Sequence, residues 1–308
     1  MEKVCVSENN ARQRLDNFLL THLTQPPTRS QIKRAIDEGK VLLNDEPAYK
    51  AGIIVETNDI IEYDFTNSRV GAGLTRPNEQ RPIPQPIPLT FIYQDQHLAI
   101  VHKPRGMVVH PGAGCHSGTL LNGLLYHLAE SASVMRGGIV HRLDKNTAGI
   151  LVVAKTDVAM SKLSQMFERR EVERVYLGIV EGELTGSGTI SKNLVRDTRN
   201  RVLFTTHSTN GRTAITHYES LQVFKHKNKP VSLVRFKLET GRTHQIRVHM
   251  KSINRPLLGD PEYGSGGNGQ MLEAVSLGFT HPITGEKLSF TVQPSAEFQN
   301  ILNMSHIP

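Results

Sequence analysis

Residues 137–156 read GGIVHRLDKNTAGILVVAKT. The stretch sets one carboxylate, Asp144, beside His141 and Arg142, between two apolar segments, Ile139-Val140 and Ile150-Leu151-Val152-Val153-Ala154. Both segments read as buried strands. A charged loop clamped between them is costly to desolvate, and such loops usually serve chemistry. Taken alone, an Asp–Arg pair at a turn reads more readily as a structural ion pair. The rest of the chain decides between the two.

Around this loop, strands and helices alternate irregularly. Leu89–Val101 reads as a strand pair turning at Gln94-Asp95-Gln96, and Thr119–Leu128 as a helix. A second helix begins at Thr156 or Asp157, with Val158, Leu163, Met166 and Phe167 as its apolar stripe. Val175–Val180 and Val231–Leu238 read as strands, the latter alternating Val234, Phe236 and Leu238 against Arg235 and Lys237. The turn Glu239–Thr243 leads into a helix from about His244 to Ile253, which Pro256 stops. No regular βαβ array emerges. The fold class expected is α+β, a mainly antiparallel or mixed central sheet with flanking helices.

Residues 66–88, TNSRVGAGLTRPNEQRPIPQPIP, have few large apolar residues and end in alternating prolines. They read as a linker, partly extended. Before it, Leu15, Phe18, Leu19 and Leu23 recur at helical spacing, and Ser30 can cap a helix that buries Ile32, Ala35 and Ile36. Gly39 ends that helix. Val41-Leu42-Leu43, a turn at Asn44-Asp45 and Ile60–Tyr63 complete a small α+β unit. The expected domains are therefore 1–65, a linker 66–88 and 89–308.

The 308 residues carry a formal charge of +7, which favours a polyanionic partner only weakly. The distribution is more informative. Residues 1–65 hold 8 Lys+Arg against 11 Asp+Glu, a net of −3, so the remainder is net +10. No apolar run approaches the roughly 20 residues that span a bilayer. MEKVCVSENNARQRLD lacks the apolar centre of a secretory signal. Cys5 and Cys115 are far apart and in no metal-like spacing. A reduced, cytoplasmic protein without membrane contact, structural metal or cofactor is expected.

Several motifs now align. HRLDKNTAG at 141–149 resembles the central HRLDxxTSG motif of the RluA-type RNA pseudouridine synthases, with Ala148 in place of its Ser. Arg174-Val175-Tyr176 resembles the family's later strand, and LETGRTHQIRVHM at 238–250 its closing motif. KPRGMVVHP at 103–111, PLLGDPEY at 256–263 and HPITGE at 281–286 also fit. The resemblance covers about residues 89–293, and several motifs in the correct order are far more specific than one. RLDNFL and TRSQIKRAIDEGKVLLN resemble an S4 RNA-binding domain. The chain departs from the family at His102, where Asn is usual, at Glu273-Ala274, where His-Ala is usual, and at Asn58-Asp59, where Gly-Asp is preferred.

The resemblance implies an enzyme that isomerises specific uridines, with large-subunit (23S) ribosomal RNA favoured over transfer RNA as substrate. It implies Asp144 as the catalytic carboxylate, Tyr176 as the aromatic that packs on the base, Arg247 as the partner of Asp144, and Arg142 as the side chain entering the space left by the flipped base. His141 reads as a positioning residue. Lys145, Arg174 and Arg242 are candidate RNA contacts in the larger domain, and Arg29, Lys33 and Arg34 in the smaller one. A monomer is expected.

The residue types suit the chemistry. Pseudouridylation breaks the N1–C1′ bond of uridine, turns the base and rejoins it through C5, without redox change, group donor or metal. It needs an ionised carboxylate near the ribose, acting as nucleophile or as base, and an adjacent guanidinium favours that charged form. The base must leave its stack, and an aromatic ring can then hold it. Against this, His141, His244, His249 and His281 with Asp144 or Asp260 could be imagined as metal ligands, but no HExxH occurs. A glycosidase would need a partner for Asp144, and no spacing selects one among Glu173, Glu181 and Asp260. The stronger alternative is a non-catalytic RNA-binding or ribosome-assembly factor, which an intact Asp144, Tyr176 and Arg247 argues against.

Overall fold

The computed structural model describes residues 2–23, 29–65, 82–112, 114–129, 131, 134–200, 202–207 and 209–303. The chain forms two compact units, Met1–Arg81 and Pro82–Pro308.

In the first unit the elements are β1 (Glu2–Cys5), β2 (Gln13–Arg14), α1 (Leu15–His22), α2 (Arg29–Asp37), β3 (Val41–Leu43), β4 (Glu46–Pro47), β5 (Ile54–Val55) and β6 (Ile60–Tyr63). Leu15, Phe18 and Leu19 of α1 bury against Ile32, Ala35 and Ile36 of α2 and the sheet residues Val41, Val55 and Ile61. The sheet runs β1-β6-β3-β4, with β2 and β5 paired separately. Asn44 and Asp45 turn the chain between β3 and β4, both with positive φ (54° and 67°). Asn58 also has positive φ, 71°. A glycine suits that backbone best and asparagine is the next most tolerant residue, so the departure from Gly-Asp keeps the turn.

The second unit contains β7 (Thr90–Gln94), β8 (Leu98–Lys103), α3 (Leu120–His127), β9 (Ala148–Ala154), α4 (Asp157–Glu168), β10 (Glu173–Glu181), β11 (Ser187–Arg196), β12 (Phe204–His207), β13 (Arg212–His226), β14 (Lys229–Leu238), α5 (Gln245–Ser252), β15 (Leu272–Thr280), β16 (Lys287–Thr291) and α6 (Ala296–Asn303). Ten strands make one sheet in the order β12-β11-β13-β14-β10-β15-β9-β8-β7, with β16 also on β15. Among the described residues only β9 and β15 pair in parallel, so the sheet is mixed and mainly antiparallel.

β9 is buried at every position, as expected for an apolar run in the middle of a sheet covered on both faces. Two glycines fix the ends of the charged loop against it. Gly138 (φ 77°) lies so close to β9 that a Cβ would fall 1.8 Å from the Ala154 carbonyl oxygen. Gly149 (φ 123°) approaches β15, where a Cβ would fall 2.2 Å from the Ala274 carbonyl oxygen. The loop between them is thereby held at both ends.

Residues 66–81 of the expected linker lie outside the described residues. Residues 82–88 belong to the second unit instead of linking to it. Asn122 donates to the Ile83 carbonyl (2.8 Å), Gln85 accepts from the Gly118 amide (2.7 Å), and the His127 ring meets the Ile87 carbonyl (2.8 Å). Two side chains of α3, Asn122 and His127, thus hold the segment by its backbone carbonyls. No helix among the described residues is long and apolar enough to cross a membrane.

Candidate active site

The loop from Ile139 to Thr147, strand β10, the Glu239–Thr243 turn and α5 enclose a cleft of about 540 Å³, whose walls include Arg142, Asp144, Tyr176, His244 and Arg247.

Asp144 is placed by a backbone network. The Thr147 amide donates to its carbonyl (3.1 Å), and the next carbonyl, that of Lys145, accepts from the Gly106 amide (2.9 Å). Lys103 is fully buried, and its Nζ donates to the carbonyls of Pro104, Met107 and Lys145 at 3.0, 2.9 and 3.0 Å. Burial pulls Lys103 down to about 7, against the opposing pull of Asp144. On the other side of Asp144, the His141 Nε2 accepts from the Val152 amide (3.0 Å). Its ring stacks on Phe167 at 4.6 Å. Burial and then Arg174 push this imidazole down to about 3, so it stays neutral and ties the loop to β9.

Tyr176 sits on β10 opposite Phe236 and is 7 % exposed. Burial raises its phenol, which keeps its proton. Arg174, two residues earlier and on the same face, is buried too. Its Nη2 reaches the carbonyls of Leu238 and Glu239 (3.3 and 3.1 Å), and the guanidinium lies over Phe167. Arg174, a candidate RNA contact, lies in the cleft wall, where backbone carbonyls and an aromatic face engage its guanidinium.

Arg247 is 4 % exposed on α5, where Gln245–Met250 are all buried. The loop that follows α5 covers Arg247, while Lys251, one turn on, stays exposed. Arg247 Nε and Nη2 donate to Asp260 at 2.7 Å each, and Nη2 also to Glu262 at 2.7 Å. Nη1 faces Asp144 Oδ2 at 3.7 Å. Burial opposes charge on both Arg247 and Asp260, but their mutual bonds hold Asp260 below the usual carboxylate range and raise Arg247. Asp260 and Glu262 lie in the PLLGDPEY stretch. The sequence marks that stretch as a motif without showing that it folds back onto α5.

Arg142 and Lys145 are exposed on the loop, and Arg242 is exposed at the Glu239–Thr243 turn, its Nε donating to the Thr213 carbonyl (3.3 Å). Lys33 of α2 is exposed and Arg34 pairs with Glu38 (3.3 Å); the Arg29 side chain lies outside the described residues. The four histidines considered as ligands are engaged separately: His281 meets Asp95 (3.0 Å), His249 meets Thr216 (2.9 Å), His244 meets Tyr263 (2.9 Å), and His141 meets Val152.

Residues 97–252 match the profile of a family described as RNA pseudouridylate synthase, and residues 13–61 match the S4 domain. The chain is 38% identical to a protein of Zymomonas mobilis named ribosomal large subunit pseudouridine synthase D, over 98% of this chain and 97% of that one. The protein of the same name from Escherichia coli is 39% identical, over 92% and 88%. The solved structure of human RNA pseudouridylate synthase domain containing 1 shares the fold, with a TM-score of 0.55 at 23% identity over 72% of this chain and 96% of that one.

Proposed function

This chain belongs to the RNA pseudouridylate synthase family, and from that premise we propose that it isomerises specific uridines of large-subunit ribosomal RNA, using Asp144 as the essential carboxylate. The observation that carries the site assignment is the meeting of Asp144, Tyr176 and Arg247 in one cleft. The supporting observation for the substrate is the name of the relatives that align along nearly the whole chain.

In this reading the flipped uridine enters the cleft and stacks on Tyr176. Asp144 meets the ribose, with Arg247 Nη1 facing its carboxylate from 3.7 Å. Arg142, exposed on the same loop, fills the space the base leaves. Lys145 and Arg242 meet phosphates at the rim. The second unit, from Pro82, forms the catalytic domain, and residues 1–65 an S4-like domain that adds RNA contacts through Arg29, Lys33 and Arg34. The protein acts in the cytoplasm as a monomer.

The test is chemical mapping of pseudouridine in large-subunit ribosomal RNA and in transfer RNA from cells with and without this protein. Complementation uses the wild type and Asp144→Asn. Sites in the ribosomal RNA that vanish without the protein and return only with the wild type support the proposal. Loss confined to transfer RNA refutes the substrate, and return of the sites with Asp144→Asn refutes the role of the carboxylate.

A further inference from the structure

His244 stands immediately before α5 with φ 56° and ψ 19°, a left-handed backbone that is uncommon for a residue with a Cβ and is found repeatedly at functional sites. Its carbonyl starts the helix by accepting from the Val248 amide (2.9 Å), so the strained residue cannot relax without disturbing Arg247. The imidazole packs edge-on against two rings, Phe204 at 5.9 Å and Tyr263 at 5.6 Å. It lines the same cleft as Asp144, Tyr176 and Arg247.

The hydrogen bonds around Tyr263 determine which imidazole nitrogen bears the hydrogen. Tyr263 Oη accepts from the Phe204 amide (2.8 Å) and lies 2.9 Å from His244 Nδ1. Burial pushes the Tyr263 phenol up to about 12, so the hydroxyl keeps its hydrogen. Among the described residues Nδ1 is the one acceptor bonded to that hydroxyl, and Glu262 Oε2 stands 3.9 Å from Nδ1, outside hydrogen-bond reach. Tyr263 therefore donates to Nδ1. Burial, opposed by Asp144, lowers the imidazole from its ordinary value and keeps it neutral. A neutral ring that accepts at Nδ1 carries its hydrogen on Nε2. Nε2 makes no hydrogen bond among the described residues. The cleft wall thus holds an N–H donor on a ring held by two aromatic neighbours and a fixed backbone.

We propose that His244 presents Nε2–H to a carbonyl oxygen of the flipped uracil and is a specificity-determining residue that favours uracil over cytosine. This rests on the pseudouridine synthase reading of the cleft. The two bases differ where it matters: at C4, uracil offers a carbonyl acceptor and cytosine an amino donor. An N–H facing that edge pairs with the first and is left unpaired, against another donor, by the second.

The test uses full-length protein and a large-subunit ribosomal RNA transcript in which the wild type's target uridine has been mapped. Two transcripts, one with uridine and one with cytidine at that position, are titrated against Asp144→Asn, which binds without turnover. They are then titrated against the same protein carrying His244→Phe or Tyr263→Phe in addition. Phenylalanine at 244 keeps an aromatic ring against Phe204 but has no N–H. Asp144→Asn should bind the uridine transcript roughly fivefold more tightly than the cytidine one, the size of one net hydrogen bond. His244→Phe should bring the ratio to about one, and Tyr263→Phe, which frees the ring to change tautomer, should reduce it. If His244→Phe does not fold, as judged by its thermal melt, the Tyr263→Phe ratio decides alone. A ratio unchanged in the folded variants overturns the proposal. A wild type that makes no pseudouridine in any transcript overturns the enzymatic reading instead, which separates the two failures.

Discussion

Arg247 points one nitrogen, Nη1, at Asp144 Oδ2 from 3.7 Å while committing Nε and Nη2 to Asp260 at 2.7 Å each. Two of this arginine's three 2.7 Å bonds therefore go to a carboxylate that is fully buried behind it. A bidentate guanidinium–carboxylate pair fixes a plane, and here that plane aims the remaining nitrogen at the reacting side of the cleft. Asp260 orients Arg247, and Arg247 faces Asp144.

Asp260→Asn should act through Arg247. The amide keeps the shape and loses the charge, leaving a buried arginine short of one strong partner. Breaking such a pair costs about 3–5 kcal/mol, although Glu262 retains part of the charge here. Turnover should fall with little change in RNA affinity, because Asp260 lies behind the cleft. Urea melts and single-turnover kinetics check this; a variant with wild-type stability and turnover would refute the orienting role.

Asp144→Asn should abolish pseudouridine formation and leave RNA binding largely intact, because the phosphate contacts remain. The measurement is pseudouridine released per enzyme, alongside filter binding of the same transcript. The wild type should also lose affinity steeply as salt rises, in proportion to the number of phosphates neutralised.

Tyr176→Phe should retain base holding and Tyr176→Leu should lose it, by about 1–3 kcal/mol if the ring stacks on the base. The comparison is informative because both variants fill the buried strand position. Equal binding of the two to an RNA bearing the target uridine would reduce Tyr176 to core packing.

These expectations show how much the sequence conveyed. The strand after Asp144 was legible because a continuous apolar run, 150–154, leaves few alternatives to a central strand; Ile139-Val140, read as a second strand, makes only an isolated bridge from Ile139 to Val153. Helices α3, α4 and α5 lie close to where the sequence places them, and the structure adds that Thr119 and Thr156 cap the first two. Strands β11, β12 and β13 were not read, since they form one side of the sheet, expose many polar residues and lack clean alternation. The partners of Arg247 were hidden for a different reason. They lie 13 and 15 residues away in a loop whose return onto α5 depends on tertiary packing. The inward turn of Arg174 was likewise invisible, because its acceptors are backbone carbonyls from β14 and the following turn.

Gly149→Ala should damage the fold more than its single methyl suggests. The added Cβ would fall 2.2 Å from the Ala274 carbonyl oxygen, and φ of 123° is itself unfavourable for alanine. Relief requires separating β9 from β15, which pair in parallel there. A loss above about 3 kcal/mol is expected in a denaturant melt, the range reached by backbone strain in a packed interior.

Lys103→Met tests whether the floor beneath Asp144 depends on one buried amine. Methionine fills the volume but leaves the carbonyls of Pro104, Met107 and Lys145 without their donor, and each unsatisfied buried acceptor costs about 1–3 kcal/mol. The loop carrying Asp144 should loosen through Lys145, lowering kcat more than it raises KM. The pH dependence has a definite sign. Lys103 titrates at about 7 in the folded protein against 10.5 for an ordinary lysine. Between those values the unfolded chain binds more protons than the folded one, so this group's contribution to stability rises with pH across that window. The stability gap between wild type and Lys103→Met should therefore widen from pH 7 to pH 10, as followed by urea melts in buffers of constant ionic strength. A gap that narrows or stays flat would show that Lys103 remains charged in the folded protein up to the ordinary lysine range.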